Sequence, residues 1–168
     1  MKSSPKIRQI ISAALWGGLI AGALDILAAS VINQSNVIRI MQIIAGGLLG
    51  RAALEGGTGT AVLGFMLQEA MGVLIALIYA LGSSRWPAVV RRWVPAGIVF
   101  GVIVYFAMNY VVVPLSALHS HPHFNLASFA KNMAAMVGFG LIVSFFARRH
   151  LSAMTDQNGS GAISGATQ

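Results

Sequence analysis

The chain contains no cysteine. Disulfides, thiolate metal sites and cysteine nucleophiles are therefore excluded. Charge is also scarce, because Asp, Glu, Lys and Arg make up 9% of residues where a soluble globular domain carries about a quarter. Only four residues are acidic, against eleven lysines and arginines. Several catalytic signatures are missing too. There is no phosphate-binding Gly-x-x-x-x-Gly-Lys loop, dinucleotide fingerprint, His-Glu-x-x-His or Gly-x-Ser-x-Gly, which leaves nothing resembling an ATPase, a zinc protease or a serine hydrolase.

What the chain does have is apolar length. Hydrophobic residues form 57% of the 168, with a mean hydropathy of +0.77. Long apolar segments run over about 10–32, 60–81, 95–115 and 126–147. Each has about 22 residues, and about 20 cross the hydrocarbon core as a helix. The expected class is all-α, a polytopic membrane four-helix bundle forming one domain over residues 1–150. The tail 151–168 is small and polar, and composition predicts disorder there. Ala21-Gly22-Ala23 resembles a leader cleavage site, but the apolar run continues well past it, so the first segment reads as a retained span.

The net charge of +7 does not point to nucleic acid, because the basic residues cluster beside apolar segments. Lys2, Lys6, Arg8, Arg85, Arg91, Arg92, Arg148 and Arg149 fall on one side of the bilayer, and only Arg39, Arg51 and Lys131 on the other. The positive-inside rule places both termini in the cytoplasm, and the lipid bilayer is the evident partner. Between the first two spans, residues 36–54 are apolar but broken by Arg39, Gln42, Gly46, Gly47 and Arg51. Ser35 is positioned to cap this segment and Gly56-Gly57 to stop it. It reads as an additional short helix, interfacial or re-entrant.

Small residues recur at helical spacing, as in Ala14, Gly18 and Gly22, or Gly97 and Gly101. Lipid gives no hydrophobic reward for helix association, so such stripes let backbones approach, within one chain or across a homo-oligomer. GLIAGALD (18–25) and GIVFGVIV (97–104) share a Gly-x-x-x-Gly frame. This is a weak internal repeat that fits two helical hairpins.

Asp25 lies in the first span, where a carboxylate costs about 2.5–3.5 kcal/mol on insertion scales. Counted from the outer boundary, Asp25, Gln68, Glu69, Asn109 and Lys131 fall at similar depths, roughly 8–14 Å down at about 1.5 Å per residue. They are expected to converge in an intramembrane polar layer, with Lys131 pairing one carboxylate. In the loop ALHSHPHFN (117–125), His119, His121 and His123 alternate. In an extended strand the three imidazoles would share a side, as a divalent transition metal requires, although an interfacial turn also accounts for them. No cofactor is expected.

The strings GLIAGALDILAA (18–29), RIMQIIAGGLLGRAALEGGTGTAVLG (39–64) and YFAMNYVVVPLSA (105–117) resemble those of a group of small bacterial inner-membrane proteins without an assigned function. The resemblance covers most of residues 15–149 and implies a four-span protein of the cytoplasmic membrane. It implies no catalytic residue. In size, and in the acid of the first helix, the chain is also similar to small multidrug-resistance transporters, whose essential acid is a glutamate in a different local sequence. Two functions are placed ahead of a third, a membrane enzyme, and no enzymatic activity is expected. The first is binding or conduction of a small solute, ion or proton through the polar layer. The alternative is an accessory protein that assembles with a partner or lipid.

Overall fold

The computed structural model describes residues 5–118 and 126–164. Its order is α1 (Pro5–Asn33), α2 (Val37–Leu49), a 3-10 segment (Gly50–Leu54), α3 (Gly57–Arg85), α4 (Pro87–Arg91), α5 (Trp93–Ala107), a π turn (Met108–Val112), the helical turn α6 (Val113–Leu115) and α7 (Leu126–Ser164). Among the described residues there is no strand. In hydrocarbon every backbone group must be satisfied internally, so apolar segments of this length become helices. Among the described residues, five segments are long and apolar enough to cross a membrane: Ile7–Asn33, Val37–Leu54, Gly57–Arg85, Trp93–Leu115 and Leu126–Ser152. The expected count of four is therefore exceeded by the segment read as interfacial or re-entrant.

Two antiparallel hairpins form the bundle. In the first, Gly18 lies against the Gly72–Val73 backbone and Gly22 against Glu69, so numbers rise along α1 as they fall along α3. In the second, Gly97 meets Gly140 and Leu141, while Gly101 meets Met136 and Val137. The two Gly-x-x-x-Gly frames are thus used alike, each seating an outgoing helix on a returning one. α7 also packs along α1, where Gly17 meets Val143 and Phe146. The packing order is α3–α1–α7–α5.

The buried core sits toward the end where α1 begins and α7 approaches its basic cluster. Ala14, Tyr79, Val90, Val143, Ala147 and Leu151 meet there. Leu151, only 2% exposed, belongs to this cluster. Its burial against this cluster extends the packing beyond Arg149, and the backbone of α7 stays helical to Ser164. Outside the core, large apolar side chains such as Leu27, Val31, Ile78, Val99 and Ile103 are more than half exposed. An exterior of this kind matches lipid rather than water.

Two local expectations are corrected. Asn36, not Ser35, caps α2, its side chain accepting from the Ile38 N–H at 3.0 Å. Gly50, at φ +68°, ends α2 well before Gly56. Beyond Gly50 the chain folds back, and Arg39 Nη1 donates to the Leu54 carbonyl at 3.2 Å. A straight helix would separate those residues by about 22 Å, too far for an arginine to bridge. Just before Pro114 the helix widens into the π turn. The Val113 N–H reaches back to the Met108 carbonyl, because a proline ring clashes with the carbonyl four residues earlier in a regular α-helix.

Candidate functional site: carboxylates between α1 and α3

The site arises from the close approach of α1 and α3. Gly18 and Gly22 remove the side chains that would hold the two backbones apart. One turn beyond Gly22, Asp25 accepts a hydrogen bond through Oδ2 from Gln68 Nε2 at 2.8 Å. The neighbouring Glu69 turns its carboxylate onto Gly22, with Oε1 and Oε2 3.2 and 3.3 Å from where a Cβ would stand. Glu69 is buried, 9% exposed, and its Oε1 has no hydrogen-bond partner. Gly22 and Asp25 are three residues apart on one face of α1, so both carboxylates belong to one cluster.

Asp25 also borders a cavity of about 200 Å³ between α1 and α7, whose walls include Ala21, Ala28, Ala135, Gly138 and Phe139. A Cβ added to Gly138 meets nothing within 4 Å. The space is large enough for several waters, each of which takes about 30 Å³ in the liquid. Among the described residues, Asp25 is the only ionisable one in its walls. A carboxylate held by one amide and opening on a small cavity can exchange a proton or hold a small cation.

Of the five expected residues, Asp25, Gln68 and Glu69 are brought together. Lys131 is not. It is exposed, and no ion pair joins it to a carboxylate among the described residues. The register of α7 on α1 sets Asp25 level with Ala135 and Gly138, which leaves Lys131 at least a turn farther out on the same stripe. Asn109 is also excluded. It stands in the π turn, on the far side of α7 from α1, and its Nδ2 donates to the Tyr105 carbonyl of its own helix at 2.9 Å. His119, His121 and His123 lie outside the described residues. Among the described residues, no three His, Cys, Asp or Glu side chains gather as a metal requires.

The sequence reading missed the closure over the end of this pair where α1 finishes and α3 begins. Gln42 Nε2 donates to the Gly57 carbonyl at 3.1 Å, and Thr60 Oγ1 to the Ala53 carbonyl at 2.8 Å. The Ala117 N–H donates to the Gly47 carbonyl at 2.8 Å. Through these contacts α2 ties the start of α3 to the 116–118 turn. The only signal for this was the run of polar interruptions within an apolar segment.

An all-α bundle with five long apolar helices and an apolar exterior is a multi-pass membrane protein. Comparisons with family models, curated proteins and solved structures return no match for the chain.

Proposed function

We propose that the chain crosses the bacterial cytoplasmic membrane four times, with both termini inside. We propose also that Asp25, Gln68 and Glu69 bind or pass a small solute, ion or proton. Four crossings are supported by the antiparallel contact of α1 and α3, which puts residues 34–56 at one end of the pair. Helix α2 has 13 residues, about 20 Å of rise against a hydrocarbon core of about 30 Å. The absence of native cysteine makes the test direct. In sealed vesicles, Asn33→Cys and Glu55→Cys are expected to react with an impermeant maleimide from the same face, and Ser84→Cys from the other. Labelling of positions 33 and 55 from opposite faces would establish α2 as a fifth crossing.

The observation that carries the functional reading is the orphaned Glu69 Oε1 beside a second carboxyl in mid-span. An unpartnered buried polar group costs about 1–3 kcal/mol, and ionisable groups within membranes mark ion and proton pathways. The test is proton uptake into dye-loaded proteoliposomes under a potassium diffusion potential. Wild type is expected to exceed protein-free vesicles, and Asp25→Asn and Glu69→Gln to fall to their level while remaining folded. Wild-type vesicles that move neither protons nor sodium or potassium ions would refute conduction. The Asp25–Gln68 hydrogen bond, acting as a clasp between helices, would then favour the accessory-protein reading.

A further inference from the structure

The bundle is open on one side. α3, α1, α7 and α5 pack in series, and α3 returns to α5 through the Tyr79 ring on Phe100, with centroids 4.7 Å apart. Against that contact lies a groove of about 640 Å³ lined by Ile78, Gly82, Trp86, Arg92, Val99 and Ile103. From Arg92 to Ile103 it follows α5 for about 16 Å. Half of a hydrocarbon core of about 30 Å is about 15 Å, so the groove has the depth of one leaflet.

The two ends differ in chemistry. Val99 and Ile103 are apolar and exposed, 59% and 58%, at the deep end. At the shallow end Arg92 is exposed, flanked in sequence by the exposed Arg85 and Arg91, and Arg148 stacks on Trp93 at 5.7 Å. Trp86, 68% exposed, stands there as interfacial indoles do at headgroup level. No acidic residue occurs between Glu69 and Asp156, so nothing nearby in the sequence neutralises these guanidiniums.

We propose that the groove holds one acidic phospholipid from the arginine-rich leaflet, with acyl chains along Val99 and Ile103 and phosphate at Arg92. Charge complementarity selects the headgroup, and the leaflet-deep apolar wall selects a membrane lipid over a soluble anion. The site is separate from the carboxylates and stands whether or not they conduct.

Native mass spectrometry of the full chain, released from detergent containing equal phosphatidylglycerol and phosphatidylcholine, tests this. Wild type is expected to retain phosphatidylglycerol preferentially. Arg92→Gln is expected to reduce that retention about fivefold, the worth of one arginine near an anionic surface, and to leave phosphatidylcholine unchanged. Gly82→Leu is expected to lower retention of both lipids, because a Cβ there meets nothing within 4 Å and the leucine fills the groove rather than a neighbour. If that variant misfolds, Val99→Trp fills the groove from α5 at an exposed position. Equal retention of the two lipids by wild type, or unchanged retention in the groove-filling variants, overturns the proposal. So does a lipid-free dimer that the groove-filling variants dissociate.

Discussion

Replacing Gly101 with leucine is expected to abolish the folded bundle. A Cβ at Gly101 stands 2.7 Å from the Val137 Cα and 2.9 Å from the Met136 carbonyl carbon. The contact is reciprocal, since a Cβ at Gly140 stands 2.7 Å from the Gly101 nitrogen. These neighbours are backbone atoms, so relief requires the two helices to separate. In lipid, separation forfeits the dispersion contacts that hold α5 on α7, and no hydrophobic term compensates. Even Gly101→Ala is expected to cost about 1–3 kcal/mol, as overpacking does. Gly138 is the control on the same helix as Gly140. Its added Cβ meets nothing within 4 Å, so Gly138→Ala is expected to be neutral or to stabilise by up to about 1 kcal/mol through helix propensity. Gel filtration and thermal midpoints in detergent decide both. A Gly101→Leu chain with the wild-type midpoint would mean that α5 and α7 are not seated this closely.

The glycine seams were legible because spacing alone places Gly18 with Gly22 and Gly97 with Gly101 on single faces, and close helix approach uses faces. Asp25 and Gln68 were legible for a related reason, since counting from the span boundary brings them to one depth. Depth says nothing about which helices are neighbours. Asn109 shares the depth but lies beyond α7, where it bonds its own helix. Lys131 was misplaced through register. The contact of Gly17 with Val143 and Phe146 fixes how far α7 slides along α1, and no sequence pattern encodes that slide. The end of α2 was misplaced for a third reason. Gly46, Gly47, Gly50, Gly56 and Gly57 all offer a stop, and only the fold-back that brings Arg39 to the Leu54 carbonyl selects Gly50. The groove between α3 and α5 left no signal, because it is defined by helices that do not meet along their length.

Substitution of the adjacent residues Gln68 and Glu69 by methionine is expected to move stability in opposite directions. Gln68 Nε2 is the donor to Asp25 Oδ2. Gln68→Met leaves a carboxyl in the bundle without its amide, at a cost of about 1–3 kcal/mol. Glu69 Oε1 has no partner to lose. Glu69→Met keeps an unbranched side chain of similar length against Gly22 and removes an unsatisfied polar group, so a gain of about 1–3 kcal/mol is expected. Unfolding titrations of both variants in mixed micelles measure the two signs. The comparison also separates the functional readings. A residue retained at the expense of stability points to a role beyond packing, so a stabilised Glu69→Met protein that no longer moves protons would make Glu69 a working group of the site. If Glu69→Met instead destabilises the bundle as Gln68→Met does, Glu69 is a packing element. The carboxylates would then form a clasp between α1 and α3, which is what an accessory membrane protein requires.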